Sequence, residues 1–579
     1  MTLTLTSSAP AVTAEAGLSP SAERPGAAPV LAVRDLAVGY ASRAGTTRVV
    51  HGVSFDVAAG EVVAVVGESG SGKTTTAQAV IGLLPGNGRV ERGSIALNGT
   101  DISGWGTKRL ESVRGRRIGL IPQDPNNSLN PVKTIGANLA EVLQIHRAGT
   151  PAAIRARVLE LLERVGVPEP EVRARQYPHE LSGGMKQRVL IAGAIALEPD
   201  LLIADEPTSA LDVTVQQRVL DLLAGLQREL GTAILFITHD LAVAADRADR
   251  VLVMKDGRLV EDGPTAELLA APRTGYTRAL LHDAPAFRSK GPGARAASRE
   301  RVAVAGPADH AVVVRGLVQE FGRGRGAAPF RAVDDVSFTV VRGTTHALVG
   351  ESGSGKTTTA RAVVGLTRPS GGSVLVEGSE VTTLRGAALR ELRRRTQLVY
   401  QNPFSSLDPR QHVADIVTEP LRNFGRVGRA RRAAVAAEAL DRVALPAGML
   451  SRLPAELSGG QRQRVAIARA LVLSPSVLVL DEAVSALDVT VQGQVLELLE
   501  QLQRDLGLTY LVISHDLAVV RQVSDTVSVM RGGRVVEQGA TEDVFTHPGE
   551  AYTAALLAAI PGRRTHPAPT DDNDGKDAR

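Results

Sequence analysis

Two glycine-rich segments, each ending in a lysine and two threonines, carry the clearest chemical signal in this 579-residue sequence. Residues 67–75 and residues 350–358 both read GESGSGKTT. Glycines let consecutive backbone N–H groups turn toward phosphate oxygens, the lysine reaches the β- and γ-phosphates, and the first threonine hydroxyl suits Mg²⁺. The sequence therefore predicts two nucleoside triphosphate sites. Their residues are Gly67, Ser69, Gly70, Gly72, Lys73, Thr74 and Thr75 in the first, and Gly350, Ser352, Gly353, Gly355, Lys356, Thr357 and Thr358 in the second.

Two pairs of adjacent carboxylates follow apolar runs further along the chain. Asp205-Glu206 comes after LLIA, and Asp481-Glu482 comes after VLVL. The first carboxylate of each pair suits a metal ion, and the second can orient or deprotonate a water that attacks a phosphate. The sequence therefore predicts phosphoryl transfer to water.

The elements around these residues predict an α/β fold. Short apolar runs, EVVAVV at 61–66 and THALV at 345–349, precede the glycine-rich segments, and helix-like patterns follow them. Such runs are typical of buried parallel strands. Ligands bind at the carboxyl edge of a parallel sheet, so we expect the glycine-rich loops and the carboxylate pairs to meet there.

The chain contains an internal duplication. LSGG at 181 and 457, SALDVTVQ at 209 and 485, and HDLAV at 239 and 515 each recur 276 positions apart, whereas the glycine-rich segments recur 283 apart. A unit of this size is a duplicated domain and not a solenoid repeat. The predicted boundaries are a disordered segment 1–29, a first domain 30–285, a flexible linker 286–310, a second domain 311–562 and a disordered tail 563–579.

Composition narrows the class of protein. The chain is 43% hydrophobic and 22% charged with a formal net charge of +4, too small over this length to indicate a nucleic-acid partner by itself. It has no cysteine, which excludes disulfides, zinc fingers and thiolate-bound iron–sulfur clusters. No run of 18 apolar residues predicts a membrane span, and residues 1–30 do not resemble a secretory signal.

With LSGG included, the residues resemble the ATP-binding subunits of ABC transporters. That resemblance implies tandem P-loop ATPase domains, each with a mainly parallel sheet, an antiparallel β subdomain and a helical subdomain. In this family the LSGG loop reaches the nucleotide bound on the opposite domain. The implied composite sites pair 67–75 with Ser458, Gly459 and Gly460, and 350–358 with Ser182, Gly183 and Gly184.

The same resemblance assigns further roles. Gln123 and Gln401 match the glutamine that senses Mg²⁺ and water, and His239 and His515 match the histidine that contacts the γ-phosphate and the attacking water. Asp212 and Asp488 match the aspartate between the two halves, and Tyr40 and Phe321 match the aromatic that stacks on adenine, with core packing as the alternative for both. The implied catalytic residues are Glu206, His239, Glu482 and His515; the implied metal ligands are Thr74, Gln123, Asp205, Thr357, Gln401 and Asp481.

A narrower resemblance is to the peptide/nickel importer branch, through PQDPNNSLNP, QNPFSSLDP and the YTxALL segments at 276 and 552. It implies ATP and Mg²⁺ as cofactors, and two membrane permeases and an extracytoplasmic solute-binding protein as partners. It also implies a peripheral location on the cytoplasmic face of the membrane. The iron–sulfur cluster common in this branch is not expected here, because the chain has no cysteine. Grooves near 123–131 and 401–409 are predicted to hold the permeases, with Leu129 and Leu407 as contacts.

Other classes of ATPase remain as alternatives. A soluble tandem ABC ATPase could act on the ribosome or on DNA, but 287–310 is short and rich in Gly and Pro, unlike a charged helical linker, and cysteine zinc modules are absent. A P-loop kinase would leave LSGG unexplained. The two copies differ little: Met185 stands where the second copy has Gln461, and DEPT becomes DEAV. Both sites are therefore predicted to hydrolyse ATP.

Overall fold

The computed structural model describes residues 28–43, 45–209, 211–287, 300, 302–322, 329–401, 406–425, 428–485 and 487–562. Most of the predicted disordered segment, all of the predicted tail and about half of the predicted linker lie outside these ranges. The linker's last residue, His310, already begins a strand. The proposed domain boundaries stay a prediction.

The strands recur in the same sequence in the two copies. In the first copy they are β1 (Leu31–Ser42), β2 (Gly45–Val57), β3 (Val62–Val66), β4 (Gly88–Leu97), β5 (Thr100–Asp101), β6 (Ile118–Ile121), β7 (Leu201–Asp205), β8 (Ala233–Ile237), β9 (Arg250–Lys255) and β10 (Arg258–Pro264). In the second they are β11 (His310–Phe321), β12 (Phe330–Val341), β13 (Thr345–Val349), β14 (Gly371–Val376), β15 (Ser379–Glu380), β16 (Thr396–Val399), β17 (Val477–Asp481), β18 (Thr509–Ser514), β19 (Thr526–Arg531) and β20 (Arg534–Ala540).

The helices also correspond. Those of the first copy are Lys73–Ile81, Thr107–Leu110, Pro125–Ser128, Ile135–Ile145, Pro151–Arg164, Pro170–Arg173, Gly183–Ala194, Val213–Leu230, Leu241–Arg247, Thr265–Ala270 and Gly275–Asp283. Those of the second are Lys356–Val363, Gly386–Arg395, Val413–Phe424, Arg429–Arg442, Gly459–Leu471, Val489–Leu506, Leu517–Val523, Thr541–Thr546 and Ala551–Ala558. Short 3₁₀ turns span Pro178–Glu180, Pro285–Phe287, Pro307–Asp309, Ala447–Ser451 and Pro454–Glu456.

Within the described ranges, each copy contains two sheets. A six-stranded sheet has the order β10-β9-β3-β8-β7-β6 in the first copy and β16-β17-β18-β13-β19-β20 in the second. Neighbouring strands in this sheet are parallel except for the pair at one edge, which is antiparallel. This pair is β9 with β10 in the first copy and β19 with β20 in the second. A four-stranded antiparallel sheet, β2-β1-β4-β5 or β12-β11-β14-β15, lies beside it. The predicted fold class is confirmed.

The central strands are apolar because helices or the second sheet cover both faces. Every residue of β7 and β8 is buried, as is every residue of β13, β17 and β18. Since β3, β8 and β7 are parallel neighbours, the loops that leave their carboxyl ends converge. This brings together the loop that starts at Gly67, the pair Asp205-Glu206, and His239.

The two copies contact each other reciprocally. Helix Gly275–Asp283 of the first copy packs against helix Val489–Leu506 of the second, and helix Ala551–Ala558 of the second packs against Val213–Leu230 of the first. The Gly562 N–H also donates a 2.7 Å hydrogen bond to Asp246 Oδ2. The last segment of each copy is therefore attached to the other copy.

Candidate functional site

The glycine-rich loop connects β3 to helix Lys73–Ile81 and ends on Gly72, whose φ of 98° is accessible mainly to glycine. The Lys73 ammonium lies over this loop and donates to the carbonyls of Gly67 at 2.8 Å and Glu68 at 2.9 Å. Lys356 makes the matching pair of contacts at 2.8 Å with Gly350 and Glu351. Each loop therefore combines a helix N-terminus and a buried cation, the arrangement that suits a phosphate chain.

Each candidate metal ligand pair is in contact. The Thr74 hydroxyl donates to Asp205 Oδ1 at 3.1 Å, and the Thr357 hydroxyl donates to Asp481 Oδ1 at 3.0 Å. Burial raises the pKa of Asp205 to about 6 and also raises that of Asp481. Among the described residues no group of three or more His, Cys, Asp or Glu could hold a metal ion. A hydroxyl and one carboxylate nevertheless fit Mg²⁺, because Mg²⁺ takes oxygen ligands and keeps waters and substrate phosphates as the others.

Proton release follows from the raised pKa of Asp205. An acid whose pKa is raised holds its proton to higher pH, so near pH 6 this carboxyl is partly protonated, whereas a cation requires it ionised. We expect Mg²⁺·ATP binding to release more protons at pH 6 than at pH 8. Calorimetry in two buffers of different ionisation enthalpy measures this release.

The variant with both Asp205→Asn and Asp481→Asn is the control for this measurement, because the nucleotide itself also titrates near pH 6. Its proton release at pH 6 should be smaller than that of the unchanged chain. Equal release by the two proteins would contradict the assignment.

A glutamine and a histidine hold each candidate catalytic carboxylate. The amide nitrogen of Gln123 donates to Glu206 Oε2 at 2.7 Å, and His239 Nδ1 lies 3.1 Å from Glu206 Oε1. In the second copy Gln401 Nε2 donates to Glu482 Oε2 at 2.5 Å, and His515 Nδ1 lies 3.2 Å from Glu482 Oε1. With the amide nitrogen engaged, the amide oxygen of each glutamine is the atom suited to a cation or water.

The electrostatics keep this carboxylate ionised. Burial raises the pKa of Glu206, but the hydrogen bond and charge of His239 and the charge of Lys73 outweigh burial and lower it below its usual range. Burial favours a lower pKa for His239, but the hydrogen bond and the charge of Glu206 outweigh burial. The pKa of His239 is therefore raised. Glu482 and His515 shift in the same directions. An ionised carboxylate beside a histidine donor can accept a proton from water.

The backbone at this carboxylate is left-handed. Glu206 has φ 45° and Glu482 has φ 49°, values that cost energy for a residue other than glycine. The N–H of each residue donates at 2.9 Å to the carbonyl of the neighbouring strand, Ile237 or Ile513. The turn points the glutamate to Gln123 and His239 while the preceding aspartate contacts the threonine.

Charged and polar residues of each half face the loop of the other. Thr214 Oγ1, two residues after Asp212, donates to Glu351 Oε1 of the second glycine-rich loop at 2.9 Å. Burial lowers the pKa of Lys73 and of Lys356. The charge of a carboxylate from the opposite half favours a higher pKa in each case: Asp488 for Lys73, and Asp212 for Lys356. The halves are therefore arranged head to tail at both loops.

The LSGG residues begin helices. Ser182 Oγ accepts from Met185 N at 3.4 Å, and Ser458 Oγ accepts from Gln461 N at 3.3 Å. In the second copy the Gln461 side chain also accepts from the Ser458 N–H at 3.0 Å, a bond that Met185 cannot make. A Cβ on Gly184 or Gly460 would lie 2.5 or 2.3 Å from a valine of the same half. The predicted contact of Ser182–Gly184 and Ser458–Gly460 with a nucleotide on the opposite half stays a prediction.

The two aromatics lie in different surroundings. The Tyr40 hydroxyl lies 3.2 Å from Thr75 Oγ1, so it is adjacent to the first glycine-rich loop. Phe321 ends β11, pairs in register with Phe330 and is 46% exposed. Their stacking on adenine stays a prediction.

The predicted contact role of Leu129 and Leu407 is wrong. The two side chains are only 6% and 2% exposed. Leu129 belongs to a hydrophobic core of the first copy, and Leu407 belongs to a hydrophobic core of the second. An aspartate at either position would place a charge in the core, so it would report on folding and not on partner binding. Val132, one residue beyond the predicted segment 123–131, is an exposed apolar residue.

Sequence reasoning missed two tyrosines at the site. Tyr276 and Tyr552 begin the repeated YTxALL segments, which were interpreted only as a marker of the branch. Each hydroxyl accepts at 3.2 Å from the N–H of the residue after the loop's first glycine, Glu68 or Glu351. The 276-residue spacing was the available signal, but it did not indicate the contact.

Comparisons with known proteins show the family of this chain. The ABC transporter family model matches residues 50–209 and 333–485, and the oligopeptide/dipeptide transporter C-terminal region matches 260–306 and 536–574. The oligopeptide transport ATP-binding protein OppD of Mycobacterium tuberculosis is 43% identical over 92% of this chain and 98% of its own length. The glutathione import ATP-binding protein GsiA of Escherichia coli K12 is 42% identical over 92% of this chain and 89% of its own. The chain therefore belongs to the ABC transporter family, as an ATPase with two fused ATP-binding domains and the C-terminal region of the oligopeptide/dipeptide branch.

Proposed function

We propose that this chain is the ATP-hydrolysing subunit of an importer for peptides or a related small solute such as glutathione or a nickel complex. The observation that carries the proposal is the oligopeptide/dipeptide C-terminal region after each ATPase domain, together with relatives named for peptide and glutathione import. ATP closes the two halves, and hydrolysis releases them. This motion drives two separate membrane permeases, to which an extracytoplasmic binding protein delivers the solute.

In the proposed reaction, each site combines residues of both halves. Lys73 and the N–H groups of its loop bind the phosphates, and Ser458 to Gly460 of the other half close over the γ-phosphate. Glu206 accepts the proton of the attacking water, which His239 and Gln123 orient. Bound Mg²⁺ neutralises phosphate charge, and Thr74 and Asp205 are the residues that would hold it. The second site uses the equivalent residues.

No helix in the described ranges is long and apolar enough to cross a bilayer. We place the chain peripherally on the cytoplasmic face of the membrane, held by the permeases. The first copy offers an exposed apolar position for this contact in Val132, in the loop after Gln123. That loop is held in shape, because the Val132 N–H donates to Asn130 Oδ1 at 3.1 Å and the Asn130 N–H donates to Asn138 Oδ1 at 2.9 Å.

Val132→Asp tests the permease contact. Val132 is 80% exposed, so the substitution should leave the folded chain intact. A charge at an apolar position that contacts the permeases should weaken co-purification with them by about tenfold or more. Val304→Asp is the matched control, because Val304 is also a valine and is 79% exposed. Equal co-purification of the two variants would place the contact elsewhere.

Uptake tests the solute class. In a strain that lacks this gene, the intact chain should restore uptake of one member of a panel of dipeptides, oligopeptides, glutathione and nickel chelates. The variant with both Glu206→Gln and Glu482→Gln should restore none. If the intact chain restores no member of the panel while its ATPase is active, the proposed solute class is wrong.

A further inference from the structure

The tyrosine of each YTxALL segment contacts the phosphate-binding loop of its own half. The Tyr276 hydroxyl accepts from the Glu68 N–H, and the Tyr552 hydroxyl accepts from the Glu351 N–H, both at 3.2 Å. Burial raises the pKa of Tyr276 to about 12 and raises that of Tyr552, so both hydroxyls stay neutral. Each bond gives a backbone donor of the loop a fixed partner outside the loop.

The rings are held from their faces. The Lys255 ammonium lies 4.8 Å from the centre of the Tyr276 ring, and the Arg531 guanidinium lies 4.8 Å from that of Tyr552. These cations end β9 and β19, the strands next to those that lead into the loops. Cation–π contact of this kind restricts the ring and so fixes where the hydroxyl lies.

The helix that carries each tyrosine is anchored to its own half. Glu261 accepts from the N–H groups of Arg273 and Thr274 at 2.8 and 3.1 Å and from the Thr277 hydroxyl at 2.6 Å. In the second copy Glu537 accepts from the N–H groups of Gly549 and Glu550 at 2.7 and 3.3 Å. The start of each helix is therefore attached to β10 or β20.

The same helices reach the other half. Helix Gly275–Asp283 packs against Val489–Leu506, and an added Cβ on Gly493 would lie at an ordinary contact distance, 3.5 Å, from the Cβ of Asp283. Helix Ala551–Ala558 packs against Val213–Leu230 in the reciprocal contact.

We infer that Tyr276 and Tyr552 are positioning residues of the two ATP sites, each holding the phosphate-binding loop of its own half in place against the opposite half. The inference goes beyond the proposed transport function, because it concerns ATP binding by the chain alone. A bond that holds the loop equally in the ground state and in the transition state contributes to nucleotide affinity and not to turnover.

The test is the purified chain with both Tyr276→Phe and Tyr552→Phe, which keeps the rings and removes the hydroxyls. The KM for ATP, and the Kd of a fluorescent ATP analogue, should rise by about two- to tenfold, the value of one lost hydrogen bond. The kcat should stay within about twofold. Each single variant should weaken nucleotide binding at one of the two sites and leave the other site unchanged.

Tyr510→Phe is the matched control. The Tyr510 hydroxyl donates to the Leu499 carbonyl at 2.8 Å, in the core and away from the loops. This variant should lower the melting temperature and leave the KM unchanged. If the Tyr276→Phe and Tyr552→Phe variants also lower the melting temperature without a change in KM and Kd, the tyrosines are structural only and the inference is overturned.

Discussion

Glu206→Gln and Glu482→Gln, made together, should lower ATP turnover by about 100- to 10,000-fold, the usual contribution of a general base. Glutamine keeps the shape of the side chain but cannot accept the proton of the attacking water. ATP affinity should change little, because the loops that begin at Gly67 and Gly350 are untouched. The measurement is phosphate release under saturating ATP, together with nucleotide binding.

The single variants test whether the two sites are equivalent. The contacts around the carboxylates nearly coincide, since histidine Nδ1 lies 3.1 Å from Glu206 Oε1 and 3.2 Å from Glu482 Oε1. The two single variants should therefore lose turnover to a similar extent. If one abolishes hydrolysis and the other leaves it unchanged, one site is degenerate despite its geometry.

Glu198→Gln is the control for removal of a carboxylate as such. Glu198 forms ion pairs with Arg157 at 2.9 Å and with Arg164 at 3.6 Å. The Glu198 side chain is 54% exposed. Exposed pairs of this kind contribute little to stability. This variant should hydrolyse ATP at the rate of the unchanged chain.

The convergence of loops at one sheet edge was predictable from local patterns. Apolar runs such as THALV gave the parallel strands, and the glycines gave the turn after each of them, because both depend on nearest neighbours in the sequence. Thr74 and Asp205 were therefore expected at one edge, and the structure places their oxygens 3.1 Å apart. Repetition of each pattern in the second copy strengthened the prediction.

Contacts that depend on how separate elements pack were not predictable in the same way. Leu129 and Val132 lie three residues apart in one polar segment, and no local pattern indicates that the first is buried and the second exposed. Glu206 has a left-handed backbone, and its N–H donates to the Ile237 carbonyl of β8, a contact that no local pattern indicates. The contact of Tyr276 with Glu68 joins residues 208 positions apart.

Gly67→Ala and Gly350→Ala should weaken ATP binding at the altered site and lower its turnover on the order of 100-fold, the effect on rate of misplacing reacting groups by about 1 Å. A Cβ on Gly67 would lie 2.2 Å from the Met254 carbonyl oxygen, and one on Gly350 would lie 2.1 Å from that of Met530. Both obstacles are backbone atoms of the neighbouring strand, so the loop must move. Their φ values, 152° and 143°, are also unfavourable for alanine.

The number of nucleotides bound per chain distinguishes loss of one ATP site from a general loss of stability. The Gly67→Ala chain should bind one fluorescent ATP analogue tightly where the unchanged chain binds two, because the second loop keeps its geometry. Gly231→Ala is the control, since Gly231 has φ 64° and an added Cβ there meets no atom within 4 Å. It should lower stability by about 1 kcal/mol through backbone strain alone and leave both nucleotides bound. If the Gly67→Ala chain still binds two nucleotides tightly, then binding of the phosphates does not depend on the position of this loop.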